Sequence, residues 1–152
     1  MTPLPQPEAL LPHRGSAVLL DRIVSVKRDR LIADAVVRPD MVPADAAGLV
    51  PAWAGIELMA QCVAALAGTW DREAGRPVGL GFLLGTRRYR SAVTGLRCGH
   101  TYRVVATRST SDEEGFGVFD CAIRDGDAEI ATAALTVFRP ADASRHLEDP
   151  PA

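Results

Sequence analysis

Pro51-Ala-Trp-Ala-Gly-Ile-Glu57-Leu-Met-Ala-Gln61-Cys-Val-Ala-Ala-Leu-Ala-Gly68 is the stretch on which the fold turns. It reads as one helix, apolar almost all the way round, running to about Trp70 or Glu73 and ended by Gly75 and Pro77. Such a helix is buried over most of its surface. Pro51 opens it, where a missing N–H costs nothing. Small residues such as Ala54, Gly55, Ala64 and Gly68 let another backbone come close, which suits a helix lying in the concave face of a curved sheet. Glu57 and Gln61 break the apolar pattern. Four residues apart, they share one face, about a turn from each other.

Two readings of Glu57 stand side by side. Near a helix N-terminus a carboxylate is favoured by the dipole while partly exposed. Alternatively Trp53, Ile56, Leu58, Met59 and Ala60 bury it, raise its pKa and keep its proton available near neutral pH, as a general acid requires. Gln61 can hold that carboxyl or a substrate hydroxyl. Backbone N–H groups around Ala52 and Trp53, at the helix start, can receive an oxygen that gains negative charge. No base lies close by in sequence.

Working outward, the flanks carry strand signals. Residues 1–7 are proline-rich and extended, and 8–11 make one helical turn. Residues 17–26 and 31–37 read as strands joined at a hairpin tip, 27–30, and so paired antiparallel. Residues 39–50 read as a loop. After the helix, 78–90 is a strand whose glycines suggest bulges or close backbone approach, and 91–99 a loop. Residues 100–110, 116–124 and 128–139 alternate as strands. The turn 111–115 and the hairpin signal Asp125-Gly126-Asp127 separate them. One long helix among antiparallel strands is an α+β architecture. A single domain over 1–140 is expected, with 141–152 a polar, proline-rich and disordered tail.

The totals narrow the function classes. With 47% hydrophobic and 24% charged residues the 152-residue chain has the composition of a soluble globular protein. A net charge of −2 gives no nucleic-acid footprint. Lys27-Arg28 and Arg87-Arg88-Tyr89-Arg90 read as solvated strand edges. Cys62, Cys98 and Cys121 fit no zinc spacing and, being odd in number, no disulfide framework. Reduced thiols point to the cytoplasm. The N-terminus has no signal-peptide pattern. No apolar run is expected to be long enough to span a bilayer, because the central helix is short and rich in alanine and glycine. Of three histidines, His146 lies in the tail, His100 reads as a solvated loop residue, and His13 either anchors the N-terminal turn or serves as a base.

Two segments together resemble a known family. Leu11-Pro-His13-Arg-Gly-Ser-Ala-Val-Leu-Leu-Asp21-Arg22 is similar to the LPHR-x-P-x-LL-x-DR segment of FabZ-type 3-hydroxyacyl-[acyl-carrier-protein] dehydratases. The helix from Pro51 to Gln61 is similar to their PGVL-x-x-EAMAQ helix, without gaps. Its wording and the later Gly81-Phe-Leu-Leu-Gly-Thr-Arg87 resemble most the dehydratase-like group called ApeP, associated with aryl polyene gene clusters. The resemblance spans about residues 9–139.

The resemblance implies a hot-dog fold, a long central helix wrapped by a curved antiparallel sheet of five to six strands. It implies sites formed where two protomers meet. It places Glu57 on the family's catalytic acid, Gln61 on the glutamine beside it and Ala52 on the glycine whose N–H receives the thioester carbonyl. The usual histidine, in a Gly-His-Phe-Pro loop, is replaced by Pro43 in Met41-Val-Pro43-Ala. His13 is then the candidate base, from its own or a partner chain.

The function so implied is dehydration of 3-hydroxyacyl-carrier-protein thioesters to trans-2-enoyl thioesters, in fatty-acid-like or aryl polyene synthesis. Two alternatives stand: a catalytically weak or silent subunit of a heteromeric dehydratase, and a hot-dog acyl thioesterase. The partners implied are acyl carrier protein with a phosphopantetheine-linked substrate, and a second copy or related hot-dog chain. No nucleic acid, membrane, cofactor or metal is expected. Trp53, Met59, Phe82, Leu83 and Leu84 are candidate walls of an acyl channel, with ordinary core as the simpler reading of each.

Overall fold

The apolar stretch becomes helical later than Pro51 suggests. In the computed structural model, which describes residues 3–41 and 48–140, the main helix α2 spans Gly55–Glu73. A 3-10 turn, Ala52–Ala54, precedes it. Pro51 keeps an extended backbone, φ −53° and ψ 141°, because it ends a short strand β3, Leu49–Pro51. At the other end Gly75 takes φ +70°, a left-handed stop that glycine adopts without a Cβ clash. A shorter helix α1, Pro7–Leu10, packs on α2. Residues 42–47, Pro43 among them, and the tail with His146 lie outside the described residues.

Six strands wrap α2 in a curved antiparallel sheet. These are β1 (Arg22–Lys27), β2 (Arg30–Val36), β4 (Phe82–Ser91), β6 (Thr101–Ser111), β7 (Phe116–Asp125) and β8 (Ala128–Phe138), in the order β1-β2-β6-β7-β8-β4. Each neighbour is antiparallel to the next. The hot-dog architecture expected from the sequence is therefore the observed one. A seventh and an eighth strand were not expected: β3 pairs with β5 (Gly95–Arg97) as a separate ribbon inside what read as two loops. At β1 the strand begins five residues late. Gly15–Ala17 form a 3-10 turn instead, and the chain becomes strand only at Arg22.

The core lies between α2 and the concave face of the sheet. Leu58, Met59, Cys62 and Leu66 meet Leu31, Val104, Phe119, Ile123 and Leu135 there. Two glycines of α2 allow close approaches to the helix. A Cβ at Gly55 would meet the Tyr89 hydroxyl at 2.7 Å, and one at Gly68 would overlap the Leu10 carbonyl oxygen. Cys62 is fully buried, and burial pushes its thiol well above the ordinary range. Cys121 is pushed up to about 12, first by burial and then by the Asp120 charge. Both are packing residues rather than nucleophiles.

Ala52–Glu73, 22 residues with a mean hydropathy of 1.2, is long and apolar enough to cross a membrane by length and composition, contrary to the sequence expectation. Its character has another cause, since 67% of its apolar window is buried inside the fold. The strand β4 forms one edge of the sheet. There Phe82, Leu83 and Leu84 stay exposed rather than joining the core, while Met59 is core.

Candidate functional site

The N-terminal segment reaches the middle of α2 without belonging to the sheet. Leu10 and Leu11 are fully buried, and Gly68 lets the Leu10 backbone lie against the helix. The next nine residues would leave backbone groups unpaired. Three side chains supply partners. Arg14 Nη1 donates to the Leu11 and His13 carbonyls, both at 2.8 Å. Arg38 Nη2 donates to Ser16 O at 2.9 Å and Val18 O at 3.2 Å. Gln61 Oε1 accepts from Leu19 N at 2.8 Å, and its Nε2 donates to Ala17 O at 2.6 Å.

This held segment carries His13 to a cavity of about 190 Å³. Glu57, Ala64, Gly81, Leu83 and Arg139 line the same cavity. His13 and Glu57 are thus brought together within one protomer. His13 Nδ1 is buried with no hydrogen-bond partner among the described residues, an arrangement that costs free energy until a ligand or solvent group meets it.

Of the two readings of Glu57, the protomer shows the exposed carboxylate. The reason is helical phase. Leu58, Met59, Gln61 and Cys62 face inward, which leaves Trp53, Glu57, Ala60 and Ala64 along the least covered stripe. On this stripe Glu57 borders a second hollow of about 320 Å³, with Leu19, Met41, Trp53 and Ile56. Trp53, 60% exposed, is a wall of that hollow and not core. One carboxylate therefore stands between a cavity holding a histidine and an apolar hollow.

Two further candidates have hydrogen-bond partners that the sequence did not indicate. Gln61 is 2% exposed, and its amide is committed to the Ala17 and Leu19 backbone rather than to Glu57. The Ala52 N–H is not free, because it donates to Thr94 O. At 3.3 Å that bond is long, and a better acceptor can compete for it. The Tyr89 hydroxyl donates to the Ala52 carbonyl and fixes the turn from the other side. Burial pushes that phenol above its ordinary range, so it remains a donor.

One group behind the cavity wall was not singled out from the sequence. Asp71 is almost fully buried and accepts from Gly79 N at 3.0 Å, from Arg76 at 3.2 Å and from Arg139. It thereby ties the strap before β4 to the end of β8, both of which wall the cavity. Its signal was available: four residues after the buried Ala67, Asp71 sits at core spacing. His100, expected to be a solvated loop residue, instead has Nε2 2.8 Å from Asp125 Oδ1 and joins β6 to the end of β7. A further hollow, about 500 Å³, includes Arg30, Arg88, Arg90 and Arg124 and none of the candidate residues. Among the described residues no group of three or more His, Cys, Asp or Glu is arranged to hold a metal.

Comparison with known proteins adds an independent line. Residues 5–148 match the family described as ApeP-like: ApeP dehydratase. The dehydratase heterocomplex ApeI:P from Xenorhabdus doucetiae is similar in structure, with a TM-score of 0.86, 25% identity, and coverage of 96% of this chain and 97% of that one. A homologue of HP0420 from Helicobacter felis follows at TM-score 0.67, 11% identity, and coverage of 93% and 94%. The E. coli PaaI protein from the phenylacetic acid degradation operon gives 0.60, 14% identity, and coverage of 78% and 82%. The latter two likenesses carry the fold alone. No curated protein sequence matches the chain.

Proposed function

The chain belongs to the ApeP-like dehydratase family, and from that premise we propose that it dehydrates 3-hydroxyacyl thioesters borne by acyl carrier protein, working beside a second hot-dog chain. The product is a trans-2-enoyl thioester and one water. His13, as a neutral imidazole, removes a proton from C2. The C–H electron pair becomes the C2–C3 double bond. The C3–O bond breaks, and Glu57 delivers its proton to the departing hydroxyl. Ala52 N–H can meet the thioester carbonyl if it releases Thr94, and Trp53 walls the side along which the acyl group runs.

The observation that carries this reading is the shared cavity. His13 and Glu57 face one space of about 190 Å³ although 44 residues separate them in sequence. A base is therefore at hand despite the proline at position 43. The second chain is supported by the heterocomplex that this fold resembles and by the apolar edge at Phe82 to Leu84. Covering the Trp53–Glu57–Ala60 stripe with a second chain would take the Glu57 carboxyl out of bulk water and set it against the acyl thioester.

The test is turnover of a 3-hydroxybutyryl-carrier-protein thioester, read as loss of one water by mass spectrometry. It is run with the chain alone and with its hot-dog partner. His13→Ala and Glu57→Gln should each lower the rate by about 10²–10⁴-fold with the fold intact. A mixed complex in which both variants dehydrate at the wild-type rate would show that this chain is the silent subunit. Release of free thiol from an acyl thioester at comparable turnover would make it a thioesterase instead.

A further inference from the structure

We propose that Gln61 is a positioning residue that fixes the segment carrying His13 to the helix carrying Glu57, and so sets the base against the acid. The inference rests on the reading of those two residues as base and acid. Glu57 and Gln61 are one turn apart on α2, about 6 Å along its axis. Gln61 spends its amide on Ala17 O and Leu19 N, its carbonyl accepting and its NH₂ donating. Those contacts reach His13 through a stiff connection. Ala17 N donates to Arg14 O at 3.2 Å, and Val18 N donates to Gly15 O at 3.1 Å, closing the 3-10 turn. Arg38 holds the same turn at Ser16 and Val18. A shift at Ala17 is thus passed back to His13 rather than absorbed by a loose loop. Gln61 borders the cavity, but both ends of its amide are taken by backbone, so its part in the site is to hold geometry.

The chemistry of the clamp offers a discriminating substitution. In Gln61→Glu a neutral carboxylic acid reproduces the amide: its O–H donates to Ala17 O and its C=O accepts from Leu19 N–H. Once ionised, it sets a negative oxygen against the Ala17 carbonyl. Burial raises the pKa of the introduced carboxyl, so its clamp is intact at low pH and lost as pH rises through that value.

The experiment uses the full chain, in whichever assembly shows wild-type dehydration of the 3-hydroxybutyryl-carrier-protein thioester. It compares Gln61→Ala, Gln61→Glu and, as a control, Cys62→Ala, which lies on the same helix but faces Leu31 and Val104. The His13 ring resonances are followed by NMR in all four proteins. Gln61→Ala should lose about 10–100-fold in kcat, the scale of an ångström-sized misplacement, with KM nearly unchanged and the His13 resonances shifted. The activity of Gln61→Glu relative to wild type should rise about tenfold or more between pH 8 and pH 5.5. Cys62→Ala should show neither effect. Folded Gln61 variants with wild-type kcat, pH profile and His13 resonances would overturn the proposal. If Gln61→Ala does not fold, Gln61→Glu at low and high pH decides. If the wild-type protein dehydrates nothing, the base and acid reading fails by itself. The His13 resonances then still decide whether Gln61 places that ring.

Discussion

Replacing Gly68 by alanine tests the tightest approach to a glycine among the described residues. In an open helix the change would stabilise by about 1 kcal/mol, because glycine is the poorer helix former. Here the added Cβ would overlap the Leu10 carbonyl oxygen and sit 2.9 Å from its carbon and 3.0 Å from its Cα. These are backbone atoms, so no rotamer change relieves the overlap. The α1 segment must move outward on the order of 1 Å, and overpacking of this kind costs about 1–3 kcal/mol. Leu10 and Leu11 are fully buried, and each such side chain contributes about 1.5–3 kcal/mol, part of which is forfeited. Set against the propensity gain, the net loss is about 2 kcal/mol. For a chain of this length that lowers Tm by about 4–8 °C. Urea unfolding at fixed protein concentration, followed by tryptophan fluorescence, gives the free energy. Gly85→Ala is the control, since nothing lies within 4 Å of its Cβ. Because Leu10 is three residues before His13, dehydration by Gly68→Ala should fall as well. A Gly68→Ala protein as stable as wild type, or stabilised, would refute the close approach and with it the account of how His13 is placed.

Two other outcomes follow from the fold. Burial works to raise the Asp34 carboxyl, but its hydrogen bonds to Arg103 at 2.9 and 3.3 Å and to Arg22 at 2.7 Å prevail and hold it below the ordinary carboxylate range. A lowered folded-state pKa adds stability above the unfolded value of about 3.9 and loses it as pH falls toward the folded one. Asp34→Asn should therefore cost about 1 kcal/mol at pH 7, with the gap to wild type closing below about pH 4 in urea midpoints. Leu84 is 55% exposed on the β4 edge. Leu84→Lys should change the stability of the protomer by no more than about 0.5 kcal/mol while weakening its complex with the second hot-dog chain in size-exclusion chromatography. An unchanged complex would place the partner elsewhere.

The parts legible in the sequence were those with local causes. The strands β6, β7 and β8 fall within a residue or two of their alternating patterns, because Tyr102, Val104 and Ala106, or Ile123 and Leu135, face one core. Gly126 takes φ +59° in the two-residue turn that Asp-Gly-Asp announces. The β4 irregularities lie beside Gly85 and at Arg88, where φ is 55°. What stayed hidden had distant causes. Residues 17–21 look like strand, yet their backbone partners are Gln61, Arg38 and Asp34, up to 44 residues away. The ribbon of β3 and β5 has three residues a side, too few to alternate. His13 and Glu57 were each named from the sequence, but only the fold shows that they share a cavity. The backbone partners of Gln61 were not legible, because they lie 42 and 44 residues away and helical phase turns Gln61 inward and Glu57 out.

That division of phase accounts for the helix that is apolar all round yet not wholly covered. Its inner side packs the sheet and, through Gly68 and Gln61, the N-terminal segment with His13. Its outer stripe holds Trp53, Glu57, Ala60 and Ala64 beside the exposed β4 edge. A protomer that worked alone would gain solubility from polar residues at those outer positions. Small and apolar residues there fit the proposed second chain and an acyl group lying against the helix. On the proposed reading, Glu57 would gain its environment from assembly, while His13 receives its position from within the protomer. Substitutions at Gln61 or Gly68 should accordingly harm activity at any concentration of the second chain. Those at Leu84 should be rescued by raising it.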